Sequence, residues 1–354
     1  MPNKKIRVLV VDDSALMREM ISSILASDPS IEVLGSAPDP LVAREKIKAL
    51  NPDVVTLDIE MPKMDGIEFL RRLMSLRPTR VLMISTLTAS NTEATLRALE
   101  LGAIDCLEKP LSTSEHARAQ FREAVLSKVH LVASASLNRA LVGTEQITLL
   151  QRATGAPTDG LIAIGASTGG VEALSAVLRK LPPGLPPIAV VLHMPAKFTG
   201  SFAKRLDGLC QPTVVEASDG LALKSGHVVL AAGGLHLEIL RKPGSFRCHV
   251  YPGPMVSGHV PSVDVLFESV AVAAGPAGIG VILTGMGQDG AQGLLAMRRA
   301  GARTFGQNEQ SSLVYGMPKV AAELGAVEMQ LSLDQIAGAI VAAAERPRAI
   351  ARQA

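Results

Sequence analysis

Short runs of apolar residues, each ending in a polar side chain, recur along the first third of the chain. Such runs occupy residues 6–11, 53–57 and 80–85. Continuous apolar runs of this length are typical of strands that are buried on both faces, as in a parallel sheet. Stretches with helical periodicity alternate with them, at residues 15–26, 40–50, 66–76 and 91–101. This alternation predicts a doubly wound α/β domain that covers residues 1–128.

The character of the sequence changes after residue 128. Residues 129–158 are rich in Ala, Ser and Thr and contain glycine and proline near their end, which predicts a linker. A second alternation begins with the run LIAIGAS at residue 161, continues at residue 188 and includes the run that starts at residue 280. We therefore predict that residues 159–354 form another doubly wound, mostly parallel α/β domain. Residues 220–240 within it have the pattern of an antiparallel hairpin.

The composition narrows the class of protein. Hydrophobic residues make up 47% of the chain and charged residues 19%, which is enough apolar material for two buried cores. The formal net charge is only +2, and no basic cluster of the kind that binds nucleic acid is present. The three cysteines show no ligand spacing, which fits a reducing compartment. No apolar stretch approaches the ~20 residues of a membrane helix, so we expect a cytoplasmic protein that is not membrane-embedded.

Polar residues with matching chemistry follow four strands of the first domain. Asp12 and Asp13 end the first run, Asp58 and Ser85 end the next two, and Lys109 follows a fourth. In an open parallel sheet, the carboxyl ends of the strands gather functional groups at one edge. Carboxylates that meet there repel one another unless a cation joins them, and Mg²⁺ suits such oxygen ligands. Turn residues or helix caps are the alternative for any one of them, but four strand ends argue against it.

Four segments of this domain, VLVVDDS, LDIEMPKMDG, MIS and EKP, resemble the receiver domains of two-component response regulators over about residues 5–125. The resemblance implies a flavodoxin-like fold, phosphorylation of Asp58 by a histidine kinase, and a switch pair formed by Ser85 and Lys109. It also implies a Mg²⁺ site made by Asp12, Asp13 and Asp58. Many receivers have an aromatic switch residue where this chain has Cys106, so coupling through the rotation of a ring is in question here.

One motif in the second domain admits a dinucleotide-binding interpretation. Gly285, Gly287 and Gly290 form a GxGxxG pattern after a strand, and Glu309 follows about twenty residues later. Two features count against a nucleotide. The motif lies late in its domain, and Asp289 falls at the start of a helix, where its charge would compete with a pyrophosphate. A nucleotide-binding output domain therefore stays an alternative, with less support.

The segment IGASTGG indicates a second chemistry. A strand leads into Ser167, and two glycines then open a helix, so that the hydroxyl lies at a strand end. Taken alone, Ser167 or Thr168 is more simply a helix cap. The next strand, however, ends at His193, and Asp289 follows a third strand of the predicted sheet. A serine, a base and a carboxylate at neighbouring strand ends are the components of a Ser-His-Asp hydrolase.

Five segments together are similar to the catalytic domain of chemotaxis protein-glutamate methylesterases, the CheB family: IGASTGG, LHMPAKFTGSFAKRL, GHVPSVDVLF, VILTGMGQDGAQGL and SSLVYGMPKVAAELGA. The resemblance covers about residues 159–346. It implies Ser167 as nucleophile, His193 as base and Asp289 as its partner. It further implies the Met286 amide as an oxyanion donor, Thr168 as a residue that shapes the site, and no cofactor for the esterase.

The chain departs from the family pattern at Leu192, Ala232, Ser257 and Gly258. The resemblance implies that His259 lies near the site, where contact with substrate is one alternative, and on sequence alone we interpret it as structural.

These resemblances imply a phosphorylation-activated enzyme that hydrolyses glutamate methyl esters, and deamidates glutamines, on methyl-accepting chemotaxis receptors. We expect a chemotaxis histidine kinase as the phosphodonor and recruitment to receptor arrays at the inner membrane. We hypothesise that the unphosphorylated receiver restricts receptor access to the catalytic cleft. The alternative is a non-catalytic response regulator whose second domain binds a partner or a nucleotide.

Overall fold

The computed structural model describes residues 4–61, 64–86, 89–110, 112, 114–136 and 160–345, with the backbone alone at 89–91. The chain divides into two compact units, and the boundary between them lies between residues 144 and 145. Each unit is an α/β domain with its own sheet. The predicted fold class is thereby confirmed.

The first unit is a five-stranded parallel sheet with the order β2-β1-β3-β4-β5. This is the flavodoxin-like order, in which β2 is added on one side of β1 and the later strands, from β3 onward, are added on the other side. The strands are Ile6–Val11, Ile31–Ala37, Val54–Leu57, Arg80–Ser85 and Asp105–Glu108, numbered β1 to β5. The helices α1 to α5 are Ala15–Ala26, Pro40–Leu50, Gly66–Leu76, Ala89–Glu100 and Glu115–Ser134.

Local chemistry sets where these elements begin. The Ser14 hydroxyl accepts the Met17 amide and caps α1, and the Asp39 carboxylate caps α2 while Pro40 occupies the first helical position. Helix α3 begins at Gly66, directly against Asp58. A glycine is needed there because a Cβ atom would lie 2.1 Å from the Asp58 carbonyl oxygen. The sequence therefore places the start of α3 beside the predicted phosphorylation site.

The predicted linker, residues 129–158, divides into two parts. Helix α5 continues through its first residues to Ser134, and Val129 and Val132 on it are fully buried. The Arg80 side chain also donates a hydrogen bond to the Ala135 carbonyl oxygen. Residues 137–158 lie outside the described residues.

The second unit is built on a seven-stranded parallel sheet with the order β15-β14-β13-β6-β7-β10-β8. Its strands are Leu161–Ala166 (β6), Ile188–Leu192 (β7), Thr213–Glu216 (β8), His227–Leu230 (β10), Gly278–Ile282 (β13), Arg303–Gln307 (β14) and Met329–Leu331 (β15). The helices α6 to α11 are Gly170–Leu178, Ala196–Asp207, Val263–Ala274, Ala291–Arg299, Met317–Glu323 and Leu333–Glu345. Among the described residues, no helix is both long and apolar enough to cross a bilayer.

The antiparallel part of this unit overlaps the predicted stretch 220–240 and extends beyond it to Tyr251. Three strands form it, Ala222–Leu223 (β9), His236–Lys242 (β11) and Ser245–Tyr251 (β12), and the hairpin joins β11 to β12. Within the predicted stretch 220–240, β10 instead pairs in parallel with β7 and β8. Three of the four residues of β10 are fully buried, which suits a strand inside a parallel sheet.

The strand order decides which loops meet. Strand β6 lies between β13 and β7, and Ala166 at the end of β6 is opposite Leu192 at the end of β7. The segments that follow these three strands therefore leave the same edge of the sheet side by side. This edge of the second unit carries the candidate active site.

Candidate functional site

The predicted acidic cluster of the first unit is assembled at the carboxyl edge of its sheet. Oxygen atoms of Asp12, Asp13 and Asp58 lie within 4.8 Å of one another. The Lys109 ammonium lies 2.6 Å from Asp58 Oδ2 and 2.8 Å from Asp12 Oδ2. Asp58 Oδ1 accepts the Ile59 amide at 2.8 Å. The structure thus brings together four of the five residues that the strand ends predicted, around a nearly buried Asp58.

The charges in this cluster are unbalanced. One lysine faces three carboxylates, two of which are almost inaccessible to solvent. Burial raises the pKa of Asp58 to about 6, with Lys109 opposing the rise and the charge of Asp12 adding to it. The donor set is made of hard oxygen atoms and carries excess negative charge, so a divalent cation such as Mg²⁺ fits the residues present.

Ser85 ends the strand beside this cluster, and Cys106 lies on β5, three residues before Lys109. Ser85 ends β4 opposite Glu108, and its carbonyl oxygen accepts the Lys109 amide at 2.9 Å. Its hydroxyl makes a long hydrogen bond of 3.3 Å to the Thr86 carbonyl oxygen. Burial raises the pKa of Cys106 to about 12, so this side chain stays a neutral thiol. Cys106 offers neither a ring nor a charge to the switch position.

In the second unit, Ser167 lies in a tight turn between β6 and α6. Its amide donates to the Thr284 carbonyl oxygen (3.0 Å), and its carbonyl oxygen accepts the Gly170 amide (2.7 Å). The N-cap of α6 is Gly169, with φ of +79°, and no side chain caps this helix. The alternative that Ser167 or Thr168 is a helix cap is therefore wrong. The Ser167 hydroxyl has no hydrogen-bond partner in the described part of the chain.

His193 follows β7 directly beside this turn. Its amide donates to the Ala166 carbonyl oxygen at 3.1 Å, so His193 and Ser167 leave adjacent strands at the same level. The ring Nε2 lies 2.8 Å from Asp289 Oδ2, and the side chain is only 8% exposed. The other ring nitrogen, Nδ1, is buried without a hydrogen-bond partner among the described residues. A buried acceptor without a hydrogen-bond partner costs free energy, and such atoms in native structures often have a catalytic role. Nδ1 is therefore a candidate functional atom.

Asp289 accepts hydrogen bonds from residues at the start of α8, which lie 25 to 27 positions earlier in the chain. Its Oδ1 accepts the Ser262 hydroxyl (2.7 Å) and the Asp264 amide (3.0 Å), while Oδ2 accepts the Val263 amide (2.7 Å). Burial opposes the ionised form, yet the hydrogen bonds from His193, Ser262 and these amides outweigh it and hold the pKa of Asp289 below its usual value. An ionised Asp289 requires Nε2 of His193 to carry a proton, which leaves Nδ1 free to act as a base.

The loop that leaves β13 passes close to Ser167. A Cβ atom at Gly285 would lie 2.8 Å from the Ser167 Cβ, so a glycine is needed for the loop to approach the serine. The Gly285 amide is already bonded to the Val314 carbonyl oxygen. The next amide, that of Met286, donates to no acceptor among the described residues. It is therefore available to a group that develops negative charge near Ser167.

Thr284 connects the Ser167 turn to the neighbouring loops. Its hydroxyl donates to the Thr168 carbonyl oxygen (3.0 Å) and accepts the Val314 amide (2.9 Å), and its own amide donates to the buried Gln307. The backbone of Thr168 is thereby fixed next to Ser167. These contacts hold the turn that carries Ser167.

The glycines of the GxGxxG pattern serve protein packing. Gly285 faces Ser167, and a Cβ atom at Gly290 would lie 2.4 Å from a Val263 methyl carbon. Gly287 has a φ of +85°, which favours glycine. The Asp289 carboxylate accepts hydrogen bonds from the start of α8, and the Glu309 side chain is exposed in the turn after β14. The structure thus accounts for each residue of this motif without a nucleotide.

Two contributors to the site were missed at the sequence level. Ser262 was not singled out, and His259 was interpreted as structural, yet the His259 ring stacks on the His193 ring with centroids 3.6 Å apart. The signal for Ser262 was available, because a serine before an apolar helical run predicts an N-terminus with free amides. For the stacking of His259 on His193, the sequence carried no signal.

The half-buried Glu172 carboxyl in the first turn of α6 predicts a pH-dependent stability. Glu172 makes no hydrogen bond to any described residue, and burial raises its pKa from 4.5 to about 8. The folded protein therefore binds a proton there between about pH 4.5 and 8 that the unfolded chain has lost. Stability must fall as the pH rises through that interval.

We expect Glu172→Gln to unfold at the same temperature as the wild type near pH 4.5 and at a higher temperature above pH 8. Thermal unfolding followed by circular dichroism across this interval measures the difference. Glu309→Gln, at an exposed position, is the matched control. A Glu172→Gln difference that does not change with pH would contradict the prediction.

Comparisons with known proteins identify the family of each unit. Residues 162–340 match the family described as CheB methylesterase, and residues 8–119 match the response regulator receiver domain. The protein-glutamate methylesterase/protein-glutamine glutaminase 1 of Caulobacter vibrioides is 54% identical over 338 residues, which covers 95% of this chain and 97% of that protein. The protein of the same name from Dechloromonas aromatica is 50% identical over 345 residues, covering 96% and 98%.

Among solved structures, the catalytic domain of the Thermotoga maritima CheB methylesterase is similar, with 34% identity and a TM-score of 0.51. The match covers 52% of this chain and 97% of that domain. The two matched families account for both units, and the similarity to the curated relatives extends over nearly the whole chain. The chain therefore belongs to the CheB methylesterase family and carries a response regulator receiver domain ahead of the methylesterase domain.

Proposed function

We propose that this protein is a chemotaxis methylesterase that hydrolyses glutamate methyl esters on methyl-accepting chemoreceptors through an acyl-enzyme on Ser167. One observation carries the proposal. The Ser167 hydroxyl and the buried Nδ1 of His193 both lack hydrogen-bond partners among the described residues, and they leave adjacent strands at the same level. The relatives' names support the substrate class and add glutamine deamidation as a second activity.

The first half of the reaction uses Nδ1 as the base. The Ser167 oxygen attacks the side-chain carbonyl carbon of the methylated glutamate, and His193 Nδ1 takes the hydroxyl proton. The Met286 amide donates to the oxyanion that forms. The ionised Asp289, bonded to Nε2, stabilises the charged imidazolium. The proton on Nδ1 then passes to the leaving methoxy oxygen, and methanol departs.

The second half regenerates the enzyme. Water attacks the acyl carbon while His193 Nδ1 accepts its proton, and that proton returns to the Ser167 oxygen as the free glutamate leaves. With a glutamine side chain the same steps release ammonia in place of methanol. Thr168, whose carbonyl oxygen is fixed by Thr284, shapes the wall beside the serine.

The receiver unit supplies the control. Asp58 accepts a phosphoryl group from a chemotaxis histidine kinase, and Ser85 and Lys109 contact the phosphorylated side chain. Asp12, Asp13 and Asp58 would hold a Mg²⁺ ion, which would supply positive charge to offset these carboxylates when a phosphoryl group approaches. The enzyme acts in the cytoplasm, where it is recruited to receptor arrays at the inner membrane.

Phosphorylation is expected to raise methanol release from methylated receptor membranes. A small-molecule phosphodonor with Mg²⁺ should increase the rate by about 5–150-fold, the usual range of allosteric coupling. Asp58→Asn should keep the basal rate and lose the increase, and chelation of Mg²⁺ should do the same to the wild type. An equal increase in Asp58→Asn would contradict phosphorylation at this residue.

A further inference from the structure

The candidate base has a second imidazole lying flat against it. The rings of His193 and His259 are nearly parallel, with centroids 3.6 Å apart and an angle of 7° between their planes. His193 is otherwise held in its own plane by the hydrogen bond from Nε2 to Asp289. A single in-plane bond leaves the ring free to rock about it, and a stacked neighbour restricts that motion.

A tight turn holds the His259 ring in place. The amides and carbonyl oxygens of Val256 and His259 exchange hydrogen bonds of 3.1 and 3.0 Å across it. His259 Nδ1 donates to the Ser257 carbonyl oxygen at 2.9 Å, although Ser257 has a φ of +52° that is unusual for a residue with a side chain. Gly258, with φ of +82°, completes the reversal.

This turn is anchored to the same helix end that holds the catalytic carboxylate. The Ser257 hydroxyl donates to Asp264 Oδ2 at 3.0 Å, and Asp264 Oδ1 accepts the Gly293 amide at 2.8 Å. The Asp264 amide in turn donates to Asp289. The stacking ring and the carboxylate partner of His193 therefore share one support at the start of α8.

The geometry argues against a metal ion as the reason for this cluster. Donor atoms of His193, His259 and Asp289 do lie within 4.8 Å of one another. The rings of His193 and His259 are nearly parallel, however, so their nitrogen lone pairs lie in separate parallel planes and do not converge on one ion. Both oxygens of Asp289 are also already engaged by protein donors.

The charge state of His259 suits a neighbour of the base. Burial lowers the pKa of His259, and the adjacent His193 lowers it further, while the Ser257 carbonyl oxygen and Asp289 oppose the shift. Asp264, the other titratable group tied to this turn, is itself buried. A neutral ring adds no positive charge beside an imidazole that must accept a proton.

We propose that His259 is a positioning residue, whose stacked ring fixes the plane of His193 so that Nδ1 stays turned toward the Ser167 side of the cleft. The inference rests on the proposed function, because it assigns His259 a part in activating the same serine. It requires a flat ring at position 259 and no contact between that ring and the substrate. A residue that touched substrate would instead change substrate affinity.

Two variants of similar volume separate these possibilities. His259→Leu fills the space without a flat ring, and His259→Phe keeps the ring. We expect His259→Leu to lower kcat for methanol release by about 10–100-fold, because misplacement of a catalytic group by ~1 Å costs about that much. KM should stay within about twofold. His259→Phe should stay within about threefold of the wild-type kcat.

A fluorophosphonate provides a readout that does not need the receptor. Ser167 displaces fluoride from phosphorus while His193 takes the hydroxyl proton, so the labelling rate reports activation of the serine alone. It should fall in His259→Leu in parallel with kcat and recover in His259→Phe. His227→Leu, at the amino end of β10 on the opposite edge of the sheet, is the matched control and should label normally.

Equal kcat and labelling rates in the Leu and Phe variants would overturn the proposal. A rise in KM with unchanged labelling would also overturn it and would assign His259 to substrate contact. Failure of the proposed function would look different, since the wild type itself would then neither release methanol nor be labelled at Ser167.

Discussion

Asp289→Asn is expected to lower kcat for ester hydrolysis by about 10⁴-fold, the loss that follows when the carboxylate of a Ser-His-Asp site becomes an amide. The carboxylate accepts four hydrogen bonds, from His193 Nε2, the Ser262 hydroxyl and the amides of Val263 and Asp264. An asparagine has one acceptor oxygen and presents an NH₂ group to the remaining donors. His193 can then turn its protonated nitrogen toward Ser167, where it cannot act as a base.

The same substitution should destabilise the second unit. Buried donors that lose their acceptor cost about 1–3 kcal/mol each, so thermal unfolding should shift to a lower temperature together with the loss of rate. Asp219→Asn is the matched control, because Asp219 is exposed and bonds to the Val250 amide and His249 on the hairpin. Steady-state methanol release at saturating receptor measures the rate. A loss of less than about tenfold with an intact fold would contradict the role of Asp289.

Ser167→Ala is expected to reduce the rate by at least about 10⁴-fold, because removal of the nucleophile leaves only oxyanion stabilisation and binding. The turn around Ser167 is held by main-chain hydrogen bonds to Thr284 and Gly170. The hydroxyl has no partner among the described residues, so its removal should leave the unfolding temperature within about 1 °C of the wild type, as expected for a loss that breaks no contact.

A stable but inactive Ser167→Ala separates catalysis from folding. Ser225→Ala removes a hydroxyl that bonds to Gly184 and Leu185 near the amino end of β10 and provides the control. That variant should keep wild-type activity. Full retention of chemotactic function by Ser167→Ala in cells would instead favour a non-catalytic regulator.

Most of the first unit could be predicted from its sequence, because local patterns decide it. Buried strands of a parallel sheet are continuous apolar runs, and their polar ends place Asp12, Asp58 and Lys109 on one edge whatever the details of packing. The second unit was harder. Strand β10 was taken for part of a hairpin, since an isolated run such as HVVL does not indicate whether its neighbours are parallel.

Only those residues of the candidate active site that follow a strand directly could be predicted from the sequence. Ser167 and His193 each end a strand, but their adjacency depends on β6 and β7 being neighbours in the sheet. The anchoring of Asp289 on α8 and the stacking of His259 depend on how a helix and a turn pack across the sheet edge. Such contacts join residues tens of positions apart and leave no periodic signal.

Acid-quenched mass spectrometry of the enzyme during turnover shows whether an acyl-enzyme forms on Ser167. A short helical peptide that carries one glutamate methyl ester is mixed with wild type or Ser167→Ala, and methanol is followed in parallel. The wild type should gain the mass of the peptide less methanol, mapped to Ser167, and Ser167→Ala should neither gain this mass nor release methanol. An adduct on another residue, or methanol release by Ser167→Ala at the wild-type rate, would contradict an acyl-enzyme on Ser167.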